Sequence, residues 1–211
     1  MATRVDGRAL RYQHRRGELL EAVAEYVLEH GVANLTLRRV AEAVGVSHVT
    51  LQHHFGTKET LVGEIVEHLL DRTFTPRDLY PDGVSEPGLD MEARLRGLWQ
   101  HLASPNGQRD IRLFLEVLAQ SHYSDAGYAA AVRRSIERRV ELTRSNILAL
   151  GASESEAQAW ATLLIALLRG LSIDLLATGD RERVQAAIDV AVMDAERRRR
   201  ERWDGTAQRT V

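Results

Sequence analysis

The chain has 211 residues, 44% of them hydrophobic and 27% charged, with a formal net charge of −2. That is ordinary for a globular protein with one good core or a small domain joined to a larger one, and it excludes a polycation. There is no cysteine, so a disulfide framework, a thiolate nucleophile and a Cys-based metal site are excluded as well.

Helical periodicity dominates from end to end, and no segment shows sustained strand alternation. The first sixteen residues carry Arg4, Arg8, Arg11, Arg15 and Arg16 against Asp6 alone, a basic end on a slightly acidic chain. A first helix is expected over about 15–30, with Leu19, Leu20, Val23, Ala24, Val27 and Leu28 on one face and Glu18, Glu21, Glu25 and Glu29 on the other. A second begins after Thr36, whose hydroxyl can accept an orphan backbone N–H. It carries Leu37, Val40, Ala41 and Val44 at helical spacing and stops at Gly45. Ser47 caps a third, short helix that runs to about Phe55. Two helices joined by a short turn containing Gly form a helix-turn-helix, whose second helix docks in a DNA major groove while the first braces the backbone.

The third helix has the composition of a DNA reader. Ser47, His48, Thr50, Gln52, His53 and His54 are polar, only Val46, Val49, Leu51 and Phe55 can pack, and no carboxylate lies between Ser47 and Gly56 to repel phosphate. Hydroxyls, imidazoles and an amide suit base edges and phosphate oxygens. The competing reading is of exposed polar residues on a small helix. Three clustered histidines raise the question of a metal, but adjacent residues on a helix diverge by ~100° and none of the three pairs at i, i+4, so no metal is expected.

A fourth helix should start at a Thr57 cap and end near Arg72. Residues 73–89 hold Pro76, Pro81 and Pro87 with Gly83 and Gly88, and read as a linker between a head at 1–56 and a body at 57–211. Five more helices follow. Asp90 caps one that stops at Ser104–Pro105, the next spans about 108–122, and a long one runs about 126–149 to Gly151. Ser153 with Glu156 forms a capping box for the helix 154–177, and Asp180 caps the last. The fold class is therefore all-α with about nine helices.

The stretch about 15–66 resembles the DNA-binding domain of the tetracycline-repressor (TetR) family of bacterial regulators. The matching residues are Leu35-Thr36, Val40-Ala41, Gly45-Val46-Ser47 at the turn, Thr50-Leu51, His54-Phe55, then Lys58-Glu59 and Leu61. Gln52 stands where the family usually has a Tyr that bonds a phosphate. The resemblance implies that Arg38, His48 and Val49 face base edges. Thr36, Thr50, Gln52, His54 and Lys58 would mainly hold phosphates, with Ser47 and His53 beside them and the arginine-rich start reaching a flanking groove. It also implies a homodimer built by the last two helices, on a palindromic double-stranded operator.

In the body, Trp160 to Leu168 is nearly all apolar, followed by Leu171, Ile173, Leu175 and Leu176. A helix apolar most of the way round must be buried on more than one side. Leu164, Leu168, Leu171 and Leu175, with Ile188 from the last helix, are expected at a dimer seam; a central core helix of a monomer is the alternative. Gly170 costs about 1 kcal/mol against Ala there, which a close helix approach would explain. Trp99, Phe114, Leu118, His122, Tyr123 and Trp160 are either ordinary core or the lining of a small-molecule cavity, and the resemblance raises the odds of a pocket. Arg197 to Arg200 with Arg202 read as a solvated helix end that complements the dipole.

No catalytic set converges and no phosphate-binding Gly loop appears, so neither an enzyme nor a cofactor is expected. The N-terminus lacks an apolar signal core, and uninterrupted apolar runs are too short to span a bilayer, so the expected place is the cytoplasm. The expectation is a homodimeric DNA-binding repressor released by a small apolar or aromatic effector. A constitutive binder or activator, and a helical scaffold for protein, remain as alternatives.

Overall fold

The computed structural model describes residues 7–73, 91–123 and 126–201. The expected linker at 73–89, apart from Thr73, the Asp90 cap, residues 1–6 of the basic start and Arg202 lie outside them. Among the described residues the fold is all-α, with nine helices: α1 Gly7–His30, α2 Leu37–Ala43, α3 His48–Phe55, α4 Lys58–Thr73, α5 Met91–Leu102, α6 Pro105–Ser121, α7 Ala126–Ala149, α8 Glu154–Thr178 and α9 Arg181–Arg199.

Two starts differ from the sequence expectation. The helix α1 begins at Gly7, so residues 7–14 of the arginine-rich start are helical, not an extended arm. Ser104–Pro105 opens α6 as well as ending α5. Pro105 takes the first helical position, where its missing N–H costs nothing, and Ser104 Oγ accepts the Gly107 N–H at 3.1 Å as the cap.

The chain divides into two compact units: residues 1–69 with 113–132, and residues 70–112 with 133–211. The unit that holds the helix-turn-helix therefore also takes in most of α4, the second half of α6 and the start of α7. Its core includes Val23, Val27, Val32, Val40, Leu51, Phe55, Leu61, Ile65 and Val117. Side-chain contacts brace the outside: Arg16 pairs with Glu64 at 2.5 Å and the His68 ring shares a 2.5 Å hydrogen bond with Glu21.

Glu116 of α6 ties the α1–α2 link. Its Oε1 accepts the Val32 N–H at 2.9 Å and the Ala33 N–H at 2.8 Å. Gly31 makes room for it. Its φ is +73°, which favours glycine, and a Cβ there would lie 2.5 Å from the Glu116 carboxylate.

In the second unit α8 is central. Its start carries the capping box from Ser153 and Glu156, and Gly179 ends it in the left-handed conformation. One cluster packs Ala157, Ala161 and Leu164 with Ile147 and Ala195. Another packs Leu168 and Leu175 with Trp99, Leu102, Val184, Ile188 and Val192. The Trp99 indole N–H donates to Gln185 Oε1 at 2.9 Å, fixing α5 on α9, and Arg96 pairs with Asp189 in the same contact.

Four residues assigned to a dimer seam are thus spent on the chain's own core: Leu164, Leu168, Leu175 and Ile188 are all buried in the single chain, and Leu171 is partly so. The outward apolar side chains are Leu163, Val190 and Met193, 54%, 63% and 60% exposed. Ala166 and Gly170 are exposed beside them on α8, and a Cβ at Gly170 would meet nothing within 4 Å.

The helix α8 is 25 residues long and holds an 18-residue window of mean hydropathy 1.7, long and apolar enough by length and composition. Counting only uninterrupted runs missed it, because Thr162, Arg169 and Gly170 break the run without lowering the mean enough.

Candidate nucleic-acid interface

The local sequence builds the turn between α2 and α3 without strain. Thr36 Oγ1 accepts the Arg39 N–H at 3.3 Å to start α2. Gly45, at φ +72°, takes the left-handed position after it. Val46 N–H then returns to Ala41 O at 2.9 Å and Gly45 N–H to Glu42 O at 3.3 Å, a Schellman closure. Ser47 Oγ accepts the Thr50 N–H at 3.0 Å to start α3.

Helix α3 sits on two buried anchors, Leu51 and Phe55. The Arg16 guanidinium lies 5.1 Å from the centre of the Phe55 ring, so this arginine, expected in the basic start, clamps α1 to α3 instead. With Leu51 and Phe55 inward, the helix turns Ser47, His48, Val49, Gln52 and His53 outward, all exposed. Val49 is 73% exposed, and α3 contains no acidic residue.

The other DNA-facing candidates fall around this face. Thr36 and Arg38 are exposed at the start of α2, and Thr50, His54 and Lys58 are partly buried. The Thr36 hydroxyl accepts a backbone N–H, so its O–H can donate outward, whereas the Ser47 hydroxyl, besides accepting the Thr50 N–H, shares a 2.8 Å hydrogen bond with the Thr50 hydroxyl. Burial lowers the His54 pKa, and the nearby His53, Arg16 and Arg15 lower it further, which favours the neutral imidazole.

The six aromatic and apolar pocket candidates divide between the two units. Trp99 is core and bonds Gln185, Phe114 is buried and Leu118 partly buried. His122 is exposed, as is Tyr123 at 91%. Trp160 lies beneath the Arg198 guanidinium, 5.5 Å from the ring centre. A cavity of about 290 Å³, counting its open mouth, lies within the second unit and is lined by Leu102, Ile111, Arg139, Ile165, Leu168, Arg169 and Ser172. None of the six lines it. Trp99 and Phe114 are core instead, and a cation ending an apolar run, Arg169, was the signal that would have found the cavity.

Arg197 and Arg198 pair with Asp194 at 2.6 and 2.7 Å, and Arg199 and Arg200 with Glu196 at 2.9 and 2.8 Å. The cationic run is thus laced to its own helix's carboxylates. Among the described residues no cluster of three or more His, Asp or Glu has metal-site geometry.

A braced two-helix turn that presents a carboxylate-free polar face defines a helix-turn-helix protein. Comparison with known proteins agrees. The family model for bacterial regulatory proteins of the tetR family matches residues 19–65. The transcriptional repressor KstR2 of Mycobacterium tuberculosis is 39% identical over 85 residues, 40% of this chain and 40% of that protein. The chain therefore matches less than half the length of this curated relative. The fold is similar to that of a TetR-family transcriptional regulator from Rhodococcus sp., with a TM-score of 0.68, 24% identity, and coverage of 84% of this chain and 98% of the other. It is also similar to BioQ, crystallised with its double-stranded DNA operator, with a TM-score of 0.55, 21% identity, and coverage of 84% and 98%. The match to bacterial regulatory proteins of the tetR family is carried by residues 19–65, the stretch that holds the helix-turn-helix.

Proposed function

We propose that the chain is a cytoplasmic, homodimeric regulator that binds a palindromic DNA operator, represses transcription there, and is released by a small effector. The observation that carries the DNA-binding part is Val49. A large apolar side chain 73% exposed on a short helix has no role in packing. Flanked by His48, Gln52 and His53, it has the chemistry to meet a thymine methyl while its neighbours bond base edges. Arg38 would take guanine, Thr36, Thr50, Gln52 and Lys58 would hold phosphates, and His54 would donate as a neutral group.

The outward apolar face supports a second copy of the chain. Leu163, Ala166 and Gly170 follow a three-then-four spacing along α8, with Val190 and Met193 beside them on α9. Covering such a face removes it from water, and the space at Gly170 admits a close helix. Two identical heads related by a two-fold axis require an inverted-repeat site with half-sites ~34–36 Å apart or a multiple of that. Repression is supported by the name of the KstR2 relative and operator binding by the BioQ complex.

The test is a mobility-shift assay at low salt on fragments upstream of the protein's own coding sequence. The chain should retard at least one fragment, and Val49→Asp should abolish the shift while leaving the fold intact by circular dichroism. A chain that shifts no fragment, or a variant that shifts as well as the parent, would favour a helical scaffold for protein.

A further inference from the structure

Helix α2 carries two of the DNA-facing candidates, Thr36 at its cap and Arg38 in its first turn, and both are exposed. It is only seven residues long, too short to hold itself in water. Its buried residues are Val40 and Ala41, at its middle. Helix α3 differs, because its own Leu51 and Phe55 anchor its middle and its end. The first turn of α2 therefore takes its position from the residues before it, the link from Gly31 to Leu35.

That link is held from outside the helix-turn-helix. Leu35 is buried, and its N–H donates to Val32 O at 3.2 Å, which closes a turn just ahead of Thr36. Within that turn, Glu116 Oε1 accepts both the Val32 and the Ala33 N–H. Glu116 is half-buried and belongs to the same compact unit as the link. It stands 84 and 83 residues further along the chain than its two donors, outside the stretch 19–65 that matches the family model. Gly31 supplies the room: it follows the end of α1 at φ +73°, and a Cβ on it would crowd this carboxylate. Three residues lead from Ala33 to Thr36, so a shift of the tied N–H groups reaches the cap within ~10 Å of chain.

We propose that Glu116 is a positioning residue for DNA binding: by holding the Val32 and Ala33 N–H groups it fixes the α1–α2 link, and so places the Thr36 hydroxyl and the Arg38 guanidinium on the operator. This rests on the DNA-binding reading above and adds to it a residue far from the helix-turn-helix in sequence. Its effect is confined to α2, since the anchors of α3 belong to α3 itself and do not act through the link. Without the carboxylate the link must be ordered anew each time α2 docks. Affinity then falls by the fraction of heads that stand ready to bind.

The test is a pair of double-mutant cycles on an operator fragment that the parent chain selects from random DNA. Dissociation constants are measured on protein shown to be folded by circular dichroism and corrected for its active fraction by titration. Glu116→Ala should weaken binding about tenfold, the factor that one charged hydrogen bond to be re-formed corresponds to. In an Arg38→Ala background the same change should cost only about threefold, because a side chain that it places is gone. In a His48→Ala background it should cost the full factor of about ten, because His48 stands on α3. Glu116→Gln keeps an oxygen at the link and should weaken binding about threefold, again less so without Arg38. It carries the test if the Ala variant does not fold.

A merely structural role would lower the melting temperature and the active fraction, and leave the dissociation constant of the folded protein where it was. Unchanged or tighter binding by folded Glu116→Ala protein therefore overturns the positioning role and leaves the DNA-binding reading standing. A loss that is the same in the Arg38→Ala and His48→Ala backgrounds overturns the route through α2, and with it the proposal. A parent chain that selects no DNA overturns the reading on which the proposal rests, and the proposal too.

Discussion

Replacing Glu116 with Ala should destabilise the unit that holds the helix-turn-helix. One carboxylate oxygen accepts two backbone N–H groups from the α1–α2 link, at 2.9 and 2.8 Å. Val32 is fully buried, whereas Ala33 is exposed. Truncation therefore strands the Val32 N–H away from water, while the Ala33 N–H can turn to solvent. A hydrogen bond to a charged group is worth about 1.5–3 kcal/mol, and most of that should come from Val32. For a chain of this length the loss corresponds to roughly 3–12 °C in melting temperature. Glu116→Gln keeps an oxygen in place and should lose about half as much, because only the charge is removed. Gly31→Ala should mimic the loss from the other side, since its Cβ would lie 2.5 Å from the same carboxylate. Urea titration followed by circular dichroism measures all three. An Ala variant within ~0.5 kcal/mol of the parent would refute the assignment of Glu116 as the tie on this link.

Arg38→Ala or His48→Ala should cost ~1–3 kcal/mol at the best site and relax preference at one base position; equal weakening on every sequence would mark them as backbone contacts. Neutralising Lys58 should reduce the salt dependence of binding by ~1 per half-site, read from affinities over a salt series. Leu163→Glu or Val190→Glu should give monomers by sedimentation with an intact fold, because both side chains already face water in the single chain; a variant that stays dimeric would move the interface elsewhere. Glu196 is held at about 2, below its ordinary 4.5, by Arg199 and Arg200 against the opposing effect of burial. Its stabilisation is therefore present above about pH 4.5 and lost as pH falls through about 2. Glu196→Gln should be less stable than the parent at pH 7 and converge with it at the acid end, and a gap independent of pH would contradict the pairing.

The legible parts of the fold were those that local chemistry writes. Thr36, Gly45, Ser47, Ser153 and Asp180 act through neighbours three or four residues away, so the caps and the turn could be read directly. The start of α6 was missed because Pro105 marks both a stop and a first helical position. Which leucines of α8 face inward could not be read, because leucine at 163 and at 164 are indistinguishable by composition. Only the packing of Leu164 against Ile147 and Ala195 decides between them. Glu116 and Arg139 could not be read at all, since the groups they meet lie tens of residues away and a lone charge in a helix ordinarily means a solvated face.

Selection of bound sequences from a random DNA pool by the full chain tests the central claim most directly. Recovered sequences should converge on an inverted repeat whose half-sites are one or more helical turns apart, because a symmetric pair of α3 helices reads both halves. Recovery of no shared sequence at low salt, or of a single half-site without symmetry, would contradict a dimeric helix-turn-helix regulator.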